Sequence, residues 1–233
     1  MLSSTKAIVL KATKYAENSL IVKCYTEQFG LKTYIIGGVH GKKSKAAFFL
    51  PLSLLELHAN HKEGTKLIRP KEIQLVAPLL KVHTDFSKGA VLLFLNEVIY
   101  KAIREEEANT DLFTFLHKSI LELEITEPLN PNFHLNFLVG FTRYLGFYPQ
   151  GKWSLTEPYF DLQEGTFTSH ISPLSLDTEQ ARLLYNTLNL KQQTALNREE
   201  RKTLLAKLML YFELHLEGFK NIKSLDVLYQ IHQ

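Results

Sequence analysis

Over roughly the first 80 residues apolar and polar positions alternate with a period of two, and after Thr84 they recur with a helical period. Thr5 to Tyr15 sets Ala7, Val9 and Ala12 among Lys6, Lys11 and Lys14. Ser19 to Thr26 places Leu20, Val22, Cys24 and Thr26 on one face, with Ile21, Lys23 and Tyr25 on the other. Phe29-Gly30 marks a turn, and Leu31, Thr33 and Ile35 then alternate with Lys32, Tyr34 and Ile36. Phe48 to His58 is a longer apolar run in which Pro51 marks an edge, a bulge or a strand start. Lys62-Glu63-Gly64 is a turn signal, and Leu67, Arg69 and Ile73 to Val76 supply a last strand. Five strands with short turns, and no helical pattern between most of them, predict a small closed or partly open barrel. A five-stranded oligonucleotide-binding (OB) barrel fits the count.

Beyond Thr84, Val91, Leu92, Leu95, Val98, Ile99 and Ile103 form the apolar stripe of a helix that runs into Glu105-Glu106-Glu107. Thr110 or Asp111 opens a second helix with Leu112, Phe115, Leu116, Ile120 and Leu123. A third carries Phe133, Phe137, Leu138, Phe141, Tyr144 and Leu145 and is stopped by Gly146. Residues 147–174 read as irregular, with a short hairpin over Tyr159 to Phe167. Asp177 with Gln180, and Asn197 with Glu200, have capping-box spacing and open a short and a long helix, the latter ending at Gly218. Ser224 starts a last helix. The expected fold class is α+β and multi-domain: an OB-type barrel over residues 1–80, then a helical domain over 81–233 with an irregular insert at about 147–174.

Charge sharpens this picture. Hydrophobic (45%) and charged (22%) contents are ordinary for a globular chain. The net +3, however, is unevenly spread: residues 1–82 hold thirteen basic against five acidic side chains, the rest fourteen against nineteen. That asymmetry points to a polyanion-binding front end on a mildly acidic body. The densest part is a glycine-rich turn in which Lys42, Lys43 and Lys45 surround Ser44 after Gly37, Gly38 and Gly41. Such a turn suits phosphate oxygens, although taken alone it reads more readily as a solvated loop, and the sequence around it is what favours binding. Gly41-Lys42 does not make a P-loop: Ile36 stands where glycine is needed, Lys43 where Ser or Thr is needed, and no helix pattern follows.

Positive signs of catalysis are missing. The nine histidines form no HExxH pattern, there is no GxSxG elbow, and the single cysteine, Cys24, excludes an internal disulfide and a cysteine-built zinc site. No apolar run approaches the roughly 20 residues that span a bilayer, and the N-terminal apolar segment is too short for a secretory signal, so a cytoplasmic protein is expected. The binding case rests on Lys11, Lys14, Lys32, Lys42, Lys43, Ser44, Lys45, Lys66, Arg69 and Lys71, with Tyr34 as a stacking surface and Tyr15 and Tyr25 interleaved nearby. Cations along the backbone and aromatic faces for bases are how OB surfaces hold single strands, though strand tyrosines are also common core residues.

The order of these features resembles RecO, the bacterial recombination mediator family. The resemblance is carried by Ala7-Ile8-Val9-Leu10, Tyr15-x-Glu17, Tyr25-Thr26-x-x-x-Gly30, Gly38-x-x-x-Lys42-x-Ser44-Lys45 and Leu54-Leu55-Glu56-Leu57. It continues at Phe137-x-x-x-Phe141-x-x-x-Leu145-Gly146-Phe147-x-Pro149 and covers nearly the whole chain. It implies a non-catalytic DNA repair and recombination protein, nucleoid-associated in the cytoplasm. Such a protein binds single- and double-stranded DNA, anneals complementary strands and assists RecA loading on SSB-coated DNA with RecR. Arg143 and the apolar helix faces are the candidates for docking SSB and RecR. Many family members carry a four-cysteine zinc module after the Leu-Gly-Phe-x-Pro motif; here that segment has no cysteine, so no metal or other cofactor is expected. Trp153, Tyr159, Phe160 and Phe167 are expected to form an apolar cluster in its place. Two other classes remain open, an RNA-binding OB protein and a protein-only adaptor. Competition between RNA and single-stranded DNA separates the first, and salt-independent partner binding without nucleic-acid affinity marks the second.

Overall fold

Strands give way to helices near residue 80, where the sequence period changes. The computed structural model describes residues 2–39, 45–62, 64–104, 106–189 and 196–231. β1 (Leu2–Ala16) pairs antiparallel with β2 (Ser19–Thr26) on one side and with β4 (Leu54–Asn60) on the other. β2 pairs with β3 (Gly30–Gly37), and β4 with β5 (Pro70–Ala77). A parallel bridge between Tyr34 and Ile68 joins the ends, with Ile35 N donating to Ile68 O at 2.9 Å and Ile68 N to Thr33 O at 3.0 Å. The ring 1-2-3-5-4-1 has the five strands expected of an OB barrel, and the ladder order settles the topology that the strand count left open.

The barrel core is Val9, Val22, Cys24, Tyr34, Ile36, Phe49, Leu55, Leu57 and their neighbours. β2 turns Val22 and Cys24 inward, as its alternation predicts. Pro51 lies in the turn before β4, beside Leu52, whose φ of 59° reverses the chain. Leu52 N then donates to Val9 O and Val9 N to Ser53 O, across the β-bulge at Val9/Lys11. The apolar run 48–58 is therefore divided into a short 3-10 turn (Ala46–Phe49) and a strand.

Contacts divide the chain into two compact units, the first running to Glu127 and taking in Ile222–Ile231, the second Pro128–Asn221. The barrel's unit thus includes α1 (Lys81–Thr84), α2 (Phe86–Ala102), α3 (Thr110–Ile125) and α7 (Ser224–Ile231). Tyr25, on the outer face of β2, is buried against Phe113 of α3 and its hydroxyl donates to Asn109 O. Asp85 and Asn109 cap α2 and α3 by accepting from the backbone three residues on. Glu124 of α3 accepts the backbone N–H groups of Leu80, Lys81 and Val82, which start α1. Lys88, only 1% exposed, donates its ammonium to Glu124 O at 2.8 Å, at the negative end of α3.

In the second unit α4 (Phe133–Thr142) leads to a turn with Gly146 at φ 86°. Three short strands, β6 (Tyr159–Asp161), β7 (Thr166–Thr168) and β8 (Ser175–Leu176), form a small sheet, followed by α5 (Thr178–Leu188) and α6 (Arg198–His215). Asn197 and Glu200 make the full reciprocal capping box; Asp177 makes its half by accepting from Gln180 N. The apolar cluster forms around Phe160 and Phe167, whose rings lie 4.9 Å apart. Its further ring partners include Tyr211 and Tyr185. Tyr159 neighbours Phe160 on β6 and so faces the other side of the sheet.

Candidate nucleic-acid interface

β1 outruns its neighbour β4: pairing with β4 stops at Ile8, while pairing with β2 continues to Ala16. Residues 11–16 therefore form one edge of a ribbon, and Lys11, Lys14 and Tyr15 are exposed on it, Tyr15 to 62%. The register places Lys11 directly across from Lys23. Both ammonium groups lie over the ring of Tyr100 on α2, at 5.2 and 5.4 Å. Two like charges facing each other across a ladder repel, and an aromatic face partly offsets that. Neither Lys23 nor Tyr100 is among the residues that sequence alone singles out. Lys23 becomes visible once the hairpin register is known, whereas Tyr100 carries no sequence signal.

On the connection from β4 to β5, Lys66 and Arg69 are exposed, and Lys71 is exposed at the start of β5. Lys45 is exposed before the 3-10 turn, its ammonium 6.0 Å from the Phe48 ring. Lys42, Lys43 and Ser44 lie outside the described residues. Among the described residues no ion pair engages Lys11, Lys14, Lys45, Lys66, Arg69 or Lys71, so their charge is available to an external polyanion. Lys32 is half-buried and donates to Glu106 O at 3.4 Å; it shares a cleft with Lys66.

Tyr34 is a correction. Its ring is 0% exposed, inside the barrel opposite Val22, so no base can stack on it. Its hydroxyl is paired with His61 Nε2 at 2.9 Å, and burial, followed by the nearby Cys24, pushes its pKa far above the usual phenol range. Tyr25 is likewise buried, which leaves Tyr15 as the exposed tyrosine of the three. In the second unit Arg143 is exposed, with its guanidinium 4.5 Å from the Tyr148 ring. No helix among the described residues is long and apolar enough to cross a membrane.

The family model described as recombination protein O N terminal matches residues 1–79, and that described as recombination protein O C terminal matches residues 83–155. The chain is 41% identical to the DNA repair protein RecO of Christiangramia forsetii, over 99% of each chain. It is 40% identical to the DNA repair protein RecO of Flavobacterium johnsoniae, over 97% of this chain and 98% of that one. The DNA repair protein RecO of Bacteroides fragilis is 39% identical over 99% of each.

Proposed function

The chain belongs to the RecO family of DNA repair proteins, and from that premise we propose that it is a non-catalytic mediator that binds DNA on its barrel and anneals complementary strands. The observation that carries this reading is a closed OB barrel whose exposed Lys11, Lys14, Lys45, Lys66, Arg69 and Lys71 have no acidic partner among the described residues. Ammonium groups on the barrel screen phosphate repulsion, so that two strands lie close together while their bases stay free to pair. The basic excess is confined to the barrel's share of the sequence, which supports the barrel as the DNA-binding part and the helical part as the body that docks RecR and SSB for RecA loading. Arg143, exposed on the second unit, is the proposed partner-facing cation. The protein acts in the cytoplasm, at the nucleoid.

Binding is expected to be tolerant of sequence and to weaken steeply with salt. Changing Lys42, Lys43 and Lys45 together to Ala removes up to three phosphate contacts. It is expected to lower the slope of log affinity against log salt for a single strand by about 2.1, with loss of annealing and an unchanged circular dichroism spectrum. Fluorescence anisotropy of a labelled single-stranded oligonucleotide at several salt concentrations measures this. A triple variant that binds and anneals as the parent does would reduce the lysine turn to a solvated loop, and no binding by the parent at low salt would overturn the DNA-binding mechanism.

A further inference from the structure

At the β2–β3 end of the barrel lies a cleft of about 800 Å³, in the size range that holds a single small ligand. Phe29 of the β2–β3 turn and His61, Lys62 and Lys66 of the β4–β5 connection line it, with Glu106 beyond α2 on another side. His61 uses both ring nitrogens inside the protein, Nδ1 with Ser3 Oγ at 3.0 Å and Nε2 with Tyr34 OH at 2.9 Å. The imidazole is therefore fixed in orientation and offers only its faces. Phe29 stacks on it at 4.1 Å with 14° between the planes. Burial, and then the charge of Lys32, hold the His61 pKa below its usual value against a backbone hydrogen bond at Ala59, which keeps the ring neutral. The result is a rigid aromatic wall beside three lysines, Lys32, Lys62 and Lys66, with Glu106 as the one carboxylate among the described lining residues.

Lys62 and Lys66 are exposed, and among the described residues Lys32 has a single long bond to a backbone carbonyl. We propose that the cleft takes one unpaired nucleotide of a DNA strand, its base against the Phe29–His61 wall and its phosphate among Lys32, Lys62 and Lys66. The identity of the ligand as part of a strand rests on the DNA-binding reading above; the stacking wall and the cation set are independent of it. Because a paired base has its edge and faces occupied in the duplex, the cleft favours single-stranded over duplex DNA.

The test is titration of isotope-labelled full-length protein with deoxyadenosine 5′-monophosphate, followed by amide chemical shifts. Shifts are expected at Thr33, Thr65, Lys66 and Ala108. Phe29→Leu, which keeps an apolar side chain and loses the aromatic face, is expected to weaken binding at least about fivefold. Lys62→Glu with Lys66→Glu, both at exposed positions and checked by an unchanged spectrum elsewhere, is expected to abolish the shifts. Absence of shifts in the cleft, or equal binding by both variants and the parent, overturns the proposal. Oligonucleotide anisotropy on the same proteins keeps the two readings apart. Salt-sensitive strand binding without cleft shifts overturns the cleft and leaves the barrel surface intact. Cleft shifts without any oligonucleotide binding overturn the strand-binding reading, and with it the assignment of the ligand to a strand.

Discussion

Gly30→Ala is expected to destabilise the barrel's unit by about 2–4 kcal/mol, a large share of what holds a domain together. Two effects act at this position. Gly30 has a φ of +64°, the left-handed region that an L side chain enters at a cost of about 1–2 kcal/mol. A Cβ there would also lie 2.3 Å from Glu107 O and 2.6 Å from Glu106 O. Those are backbone atoms of the segment that follows α2, and they cannot swing aside as the end of a side chain would. Relief requires that segment to lift from the β2–β3 turn or the turn to deform, and either loosens the barrel end that carries the cleft. Gly38 supplies the control: its φ is +71°, but among the described residues a Cβ there meets nothing within 4 Å, so Gly38→Ala reports the backbone strain. Urea unfolding followed by circular dichroism measures both. A Gly30→Ala midpoint no lower than that of Gly38→Ala would show that the close approach of residues 106 and 107 contributes nothing to stability.

The sequence made the elements legible where the signal is local. Alternation over Ser19 to Thr26, the punctuation at Phe29-Gly30 and the cap at Asn197 each rest on a few adjacent residues, and each appears as a strand, a turn and a capping box. Tyr34 shows the limit of that signal. A period of two separates the faces of a strand without saying which face is inside, and β3 is covered on both, with Leu31 and Tyr34 both buried. The ladder decides it: pairing Val22 with Tyr34 and Cys24 with Lys32 carries the inward face of β2 onto Tyr34, and brings Lys32 to the barrel's end. The basic side chains Lys11, Lys14, Lys66, Arg69 and Lys71 were legible as exposed cations because a charged stem is rarely buried without a partner. The Phe29–His61 wall was not legible, because its members are separated by 32 positions and meet only after the barrel closes.

Longer range still is the contact between α7 and α2, and it supports a second prediction of large effect. An eight-residue helix such as α7 does not hold its shape alone in water. Glu97 of α2 supplies what it lacks: its carboxylate accepts from Lys223 N at 3.1 Å, Ser224 N at 2.8 Å and Ser224 Oγ at 2.7 Å. The side chain thereby caps the start of α7 from 127 positions away, while Leu228 of α7 is fully buried. Partial burial by itself would raise the Glu97 carboxyl, but the hydrogen bonds from Ser224 and Lys223, together with Lys101, outweigh it and bring the pKa down to about 2. A carboxylate held below its unfolded value stabilises the fold above that value, near 4.5, and the contribution is lost as pH falls toward 2. Glu97→Gln is therefore expected to reduce stability by about 1–3 kcal/mol near neutral pH, the figure being lowered for the solvent the site still meets. Hydrogen exchange at the α7 amides should accelerate before that of the barrel strands, because the cap is lost where the helix begins. The gap between parent and variant should narrow when both are unfolded in urea at about pH 3, since there the unfolded parent's Glu97, with its pKa near 4.5, takes up a proton that the folded carboxylate does not. A gap of equal size at both pH values would assign the effect to side-chain shape and remove the carboxylate from the account of how the chain's last helix is held.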